Sequence, residues 1–347
     1  MKVVFKKVAF AILGLAVSTS SFAGNPQRAG QAGASELLIN PFARSSGWAG
    51  ANTAGVRGLE SLYINVAGLA GVNKTEVVLS NTQWLVGSGI SINNFAFGQK
   101  VGETGVLGVT LTSFDYGEWE VTTEDQPEGT SGTISPSTLV IGLAYSQKFT
   151  ESIFGGVNIK VYNNNISNLS VTGVCFDAGV QYQTGDNDEW KFGITLKNVG
   201  PAVDYSGDGF GISLPVPTSG VTRTFEERAA SFELPTQLNI GGSYDILLDE
   251  YNRITPAFSF NSNSFEKDTY NIGVEYGMKK YLSLRAGYKI FDNRSDEIST
   301  TAISGVTGGI TFDVPINEDG SSFGIDYSYR HTNTFGGIHS FGVILAL

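Results

Sequence analysis

The sequence predicts an all-β protein: a 14-stranded antiparallel transmembrane β-barrel whose amino-terminal segment folds inward as a plug. Three observations carry this expectation. About a dozen further segments repeat the apolar/polar alternation of the last stretch, 336–347, and period-two alternation marks a strand with two different faces. Past the leader, no segment approaches roughly 18 uninterrupted apolar residues, so no transmembrane helix is available. The last stretch itself, GGIHSFGVILAL, points Phe341, Val343, Leu345 and Leu347 one way and Gly342, Ile344 and Ala346 the other. An open edge this apolar invites aggregation, and in a bilayer closure is compulsory because no water satisfies free backbone groups.

The leader comes first. Lys2, Lys6 and Lys7 precede an apolar run at 8–16, and Ser21-Phe22-Ala23 is a small-residue cleavage site, so residues 1–23 read as a secretory signal peptide cleaved after Ala23. The apolar run is too short to span roughly 30 Å of hydrocarbon. No cysteine follows the cleavage site, which argues against a lipid anchor. Losing the three lysines moves the formal charge from −11 to about −14, which excludes nucleic acid and attraction to anionic lipid as themes. With 44 glycines, 22 phenylalanines and 14 tyrosines, the exported chain has the weakly hydrophobic, aromatic-rich composition of a transmembrane barrel. The one cysteine, Cys175, alternates against Val174 and Phe176, so it faces inward as a structural thiol.

Residues 24–73 do not read as strand. They are rich in Gly, Ala, Ser and Asn, with apolar patches at 37–39 and 62–64 around a small-residue stretch, 47–58. Small residues permit close backbone packing. The segment is therefore expected to enter from the periplasm as a hatch, with Leu37, Ile39, Asn40, Phe42, Tyr63, Asn65 and Leu69 against the inner wall; a flexible periplasmic tail is the alternative.

Residues 74–347 are the barrel. Strands are expected at 75–84, 89–100, 104–114, 138–148, 152–162, 170–183 and 189–199, then at 236–247, 251–261, 268–277, 281–291, 305–314, 321–330 and 336–347. In 170–183 the outward set is Val174, Phe176, Ala178, Val180 and Tyr182; in 281–291 it is Leu282, Leu284, Ala286, Tyr288 and Ile290. The opposite register holds the charges Glu275, Arg285, Lys289, Asp326 and Arg330, as a polar lumen requires. From the third strand on, connections alternate between short (149–151, 184–188, 248–250, 278–280, 315–320) and longer (115–137, 163–169, 200–235, 262–267, 292–304). Short periplasmic turns, long outer loops, an even strand number and both termini inside all agree with fourteen strands. A large soluble β-sandwich is the competing fold, but it would not need closure.

No catalytic constellation emerges, and no cofactor is expected. His331 and His339 flank the last loop without a third metal ligand. The acidic loop at 115–137 reads as a solvated outer loop, a divalent-ion bridge to anionic lipid being the alternative. The loop at 200–235 is long enough to demand a role. Its Tyr205, Phe210, Leu214, Val216, Phe225 and Phe232 must dock somewhere, in the barrel mouth or on a partner.

The stretch 34–71 contains Leu-Leu-Ile-Asn-Pro-Phe-Ala-Arg, then Gly-Trp-Ala-Gly-Ala, then Leu-Tyr-Ile-Asn-Val-Ala-Gly-Leu-Ala. It resembles the amino-terminal signature of the PorV/PorQ family, outer-membrane proteins of Bacteroidetes related to the long-chain fatty-acid transporter FadL. Val66 stands where that signature usually has Pro. Lys197-Asn198-Val199-Gly200-Pro201 followed by Leu234-Pro235-Thr236 resembles a second landmark, closer to the PorV branch. The resemblance implies a FadL-like barrel with an amino-terminal hatch, seated in outer-membrane lipid. It also implies a non-enzymatic role in type IX secretion, contacting cargo signal domains and translocon or attachment proteins. Passive uptake of a hydrophobic small molecule, as in FadL, is the alternative function.

Overall fold

A sheet with one apolar face hides that face from water by turning it toward lipid, and it loses its open edges only when its first and last strands pair. The computed structural model shows this closure. It describes residues 26–130, 132–216, 221–278, 281–291, 302–317 and 321–347; the expected signal peptide at 1–23 and the expected connections at 131, 217–220, 279–280, 292–301 and 318–320 lie outside them. Fourteen strands follow one another in space as in sequence: β1 (Thr75–Trp84), β2 (Ile90–Val101), β3 (Gly105–Asp115), β4 (Ser137–Lys148), β5 (Ile153–Ile166), β6 (Leu169–Thr184) and β7 (Trp190–Val199). They continue as β8 (Gln237–Tyr244, resumed at Ile246–Leu247), β9 (Asn252–Asn263), β10 (Thr269–Met278), β11 (Leu282–Phe291), β12 (Ile303–Pro315), β13 (Ser322–Thr332) and β14 (Ile338–Ala346). Strand β14 pairs antiparallel with β1 from Glu76–Ala346 to Gln83–His339, so no edge remains. No helix among the described residues is long and apolar enough to cross a membrane.

The alternation sorts side chains as a barrel in lipid needs. Along β6 every second residue from Thr172 to Tyr182 is exposed and every second from Val171 to Gln181 is buried. Outward residues such as Leu79, Leu143, Val157 and Ile194 are exposed, while inward polar residues such as Ser146, Gln181, Ser259 and Thr311 are fully buried. Charge and amide groups are therefore on the inside and hydrocarbon on the outside, the inverse of a water-soluble sandwich. Cys175 is buried on the inner face.

Three details differ from the sequence reading. The loop expected at 163–169 shrinks to Ser167 and Asn168, because β5 and β6 extend to Ile166 and Leu169 and pair there. The acidic loop contains a small hairpin, Trp119–Glu120 against Thr133–Ile134. The long loop contains another, Gly211–Pro215 against Thr222–Glu226.

A fourth difference concerns the amino-terminal segment, expected to enter from the periplasm. Its first residues lie instead at the opposite end from Thr75 and Leu347. Arg28 pairs with Glu233 at 2.6 Å, and Glu36 accepts a hydrogen bond from Tyr116 at 2.8 Å. Both partners belong to long-loop connections, so the chain runs inward from the outer mouth and reaches β1 at the periplasmic rim. On the way it forms a 3-10 turn at Ser35–Leu38, two single-turn helices, α1 (Ala43–Ser46) and α2 (Ser61–Ile64), and a 3-10 turn at Val66–Gly71. It meets the wall in two apolar clusters. Leu37 and Ala34 join Phe114, Tyr162, Cys175 and Leu234 toward the outer mouth. Phe42, Leu59, Leu62 and Leu69 join Val78, Val106 and Ile344 toward the periplasm. A fully buried leucine of this kind is worth about 1.5–3 kcal/mol.

Candidate functional site

The inner wall is shaped to the segment it holds. At several of the closest approaches between segment and wall, the wall residue is glycine. A Cβ on Gly179 would fall 2.1 Å from the Asn65 side chain, one on Gly193 2.5 Å from the Thr53 carbonyl, and one on Gly287 2.5 Å from the Trp48 backbone. Side chains then fasten the contact. Asn65 Nδ2 donates to the carbonyls of Thr53 at 3.0 Å and Val180 at 3.2 Å, while its Oδ1 accepts from the Ala67 amide at 3.2 Å. Asn40 bonds within the segment: it accepts from the Phe42 amide and donates to Ser45, setting the turn into α1. Tyr63 donates to the Leu38 carbonyl, tying the segment's two apolar patches together. Phe42 and Leu69 are fully buried, and Ile39 packs at the edge of the outer cluster.

The segment divides the lumen. On the periplasmic side is a cavity of about 490 Å³, lined by Arg44, Glu60, Lys191, Asp245, Glu275 and Arg285 among others. Four of its cations are paired: Arg44 with Asp313 and Asp326, Lys191 with Asp245, and both Arg253 and Arg285 with Glu275. Arg57 is different, lying over the Phe154 ring at 3.9 Å. On the outer side is a cavity of about 410 Å³, lined by Asn40, Tyr63, Trp84, Lys197, Lys289 and Arg330 among others. Ser46, Ala49, Gly50 and Ile64 face the outer cavity; Trp48, Asn52, Gly55 and Val56 face the inner one. The segment thus stands between the two as a septum.

Of the five lumen charges read from the sequence, Glu275, Arg285 and Asp326 therefore sit in the periplasmic network, while Lys289 and Arg330 sit in the outer cavity. Sequence reasoning missed Lys197, Lys160, Glu36 and Glu60. Lys197 was readable, since the outward run Phe192, Ile194, Leu196 forces it inward; Glu36 and Glu60 were not, because their segment has no period.

The two landmark motifs meet. Asn198, held in the left-handed region at φ 58°, donates through its side chain to the Pro235 carbonyl at 3.1 Å and through its amide to Asp177 at 2.8 Å. Thr236 donates to the Asn198 carbonyl at 3.2 Å, and a Cβ on Gly200 would fall 2.4 Å from the Val174 carbonyl. Asp177 in turn pairs with Lys160 at 2.8 Å, deep in the outer half. This knot anchors both ends of the long loop.

From that anchorage the loop splits in two. Tyr205 and Phe232 lie at its base, half-buried, with ring centroids 5.9 Å apart, and Tyr205 donates to Asn164 at 2.9 Å. Burial, together with the nearby Glu36 carboxylate, pushes the Tyr205 phenol above its ordinary range. Leu214 and Phe225 are exposed on the hairpin, where Ile212 pairs with Phe225 and Leu214 with Arg223. Phe210 is half-buried at the hairpin's base, and Val216 is half-buried at its turn end, where its amide donates to the Val221 carbonyl. His331 and His339 take separate hydroxyl partners, Ser304 and Tyr327, and among the described residues no group of three His, Cys, Asp or Glu is placed to hold a metal ion.

A closed fourteen-stranded barrel with a polar lumen and an apolar belt is the architecture of an outer-membrane protein. Solved structures agree. The chain is similar to the Pseudomonas putida toluene transporter TodX (TM-score 0.57, 13% identity, covering 88% of this chain and 97% of that one). It is also similar to the Ralstonia pickettii toluene transporter TbuX (0.52, 12%, 88% and 97%) and to a Pseudomonas aeruginosa FadL homologue (0.50, 10%, 87% and 96%). At these identities the likeness is one of fold. No curated protein matches the sequence. The model of the family "Type IX secretion system protein PorV" matches residues 22–265, and the chain belongs to that family.

Proposed function

We propose that this protein is a non-enzymatic docking component of the type IX secretion system, presenting its outer face to secreted cargo or to translocon and attachment proteins. The signal peptide is removed after Ala23, and residues 24–73 form a hatch that keeps the barrel shut. The observation that carries the reading is the divided lumen. A passive transporter of hydrophobic molecules needs a continuous apolar path, whereas here a septum separates two polar, charged cavities. The exposed apolar face of the hairpin at Gly211–Pro215 and Thr222–Glu226 adds support, since apolar side chains held out in water on an anchored loop suit a partner. The second reading, uptake of a hydrophobic small molecule, rests on the similarity in fold to toluene transporters.

Deletion of the gene, followed by a comparison of secreted proteins, separates the two. Loss of signal-bearing cargo from the medium or cell surface is expected. Normal export of all such cargo would sink the docking reading, and unchanged uptake of hydrophobic substrates would sink the second.

A further inference from the structure

Wall cations on the two sides of the septum are treated differently, although Arg57 of the segment itself, lining the periplasmic cavity, also has both terminal nitrogens buried without a partner. The periplasmic wall cations have carboxylate partners, but in the outer cavity Lys197, Lys289 and Arg330 have none within salt-bridge distance among the described residues. Each leans on an aromatic ring instead. Lys197 Nζ is 3.6 Å from the Tyr63 centroid, Arg330 Cζ 5.2 Å from that of Trp84, and Lys289 Nζ 5.4 Å from that of Phe291. Ring faces attract cations, yet they leave hydrogen-bonding capacity unused: an ammonium carries three donors and a guanidinium five. Arg330 Nε and Nη2 are buried without any hydrogen-bond partner, and Lys197 is only 2% exposed. Glu266 is the one carboxylate among the described residues lining this cavity, against three cations.

The same cavity also has unmatched acceptors. Asn239 Oδ1 and Asn271 Oδ1 line it, buried and without partners. Buried polar groups are normally satisfied, and a buried charge without a counter-charge is costly. Unpaired cationic donors call for an oxyanion, and unpaired amide acceptors call for hydroxyl donors. One small molecule supplies both. We propose that the outer cavity is a binding site for a hydroxylated oxyanion, of the class of sugar acids and sugar phosphates, with Lys197, Lys289 and Arg330 on the anion and Asn239 and Asn271 on the hydroxyls. The volume, about 410 Å³, lies within the range of small-molecule sites. A long acyl chain is a poor fit, since it would strand these amides against hydrocarbon. The proposal does not depend on the secretion reading, because it concerns the isolated protein.

The test is calorimetric titration of the purified full-length protein in detergent micelles with glucuronate, glucose 6-phosphate, glucose and laurate. Glucuronate or glucose 6-phosphate is expected to bind at least tenfold more tightly than glucose, and which of the two is tighter tells carboxylate from phosphate. Arg330→Gln and Lys197→Gln should each weaken the anion at least tenfold, while Lys148→Gln, at the periplasmic end of β4, should leave it unchanged. The electrophoretic shift of unheated barrels reports whether each variant is folded; should a variant misfold, the comparison of the charged sugars with glucose on the unaltered protein still decides. Anions no tighter than glucose, tight anions indifferent to both cavity substitutions in folded protein, or laurate tighter than both anions would each overturn the assignment.

Discussion

At the scale of single residues, the lumen wall records the shape of what fills it. Glycines stand where backbone meets backbone, and a substitution there has a cost set by what its Cβ would strike. At Gly179 the obstacle is the end of the Asn65 side chain, which can rotate away; at Gly287 it is the Trp48 backbone, which cannot. Gly287→Val is therefore expected to loosen the segment more than Gly179→Ala does. Asn65→Ala tests the fastening itself. It removes the donor to the Thr53 and Val180 carbonyls and leaves the Ala67 amide without its acceptor, a loss of about 1–3 kcal/mol for buried groups left unpaired. Hydrogen exchange should show faster exchange across residues 53–69 with the strands unchanged. Equal loss of protection in the strands would mean that segment and barrel unfold as one unit, and no change would mean that Asn65 is not the joint.

At the scale of elements, the strands were legible and the segment inside them was not. β1 has the ends that its alternation predicts, and the other strands differ by a few residues, because a strand between lipid and a polar lumen must change character at every step. The loop at 163–169 was misread for a related reason: its Asn-rich residues 163–165 resemble a loop, yet here Asn163 bonds across the hairpin to Thr172 and Asn164 bonds to Thr138 on the neighbouring strand β4. The course of the amino-terminal segment was beyond sequence reasoning, since its contacts are made largely by backbone and small residues with no period. The long loop falls between these cases. Its length and apolar content announced a role, but only the structure separates an anchored base from an exposed hairpin. If the hairpin carries the partner contact, replacing Leu214 and Phe225 together by Asp should abolish export of signal-bearing cargo. The barrel should still reach the outer membrane at normal level, because neither side chain is buried. Unimpaired export would move the contact elsewhere on the outer face.

At the scale of the whole molecule, the question is what keeps a barrel of this width from leaking. Eight strands make a lumen that interior side chains fill, whereas sixteen or more leave an aqueous channel. Fourteen lies between, and this wall is lined with glycine where the segment docks, so its own side chains do not span the interior. The candidates for closure are the amino-terminal segment, which stands between the two cavities, and the base of the long loop, where Val203, Leu234 and the half-buried Phe232 lie against the outer mouth. They make different predictions. Removing residues 24–71 merges the cavities and also withdraws Leu37 and Ala34 from the cluster that holds the loop's base. The truncated barrel, once inserted, should conduct ions in planar-bilayer recordings where the intact protein does not. A truncated form as tight as the intact protein would assign closure to the long loop, and a second truncation within 200–235 would then be the one that opens the barrel.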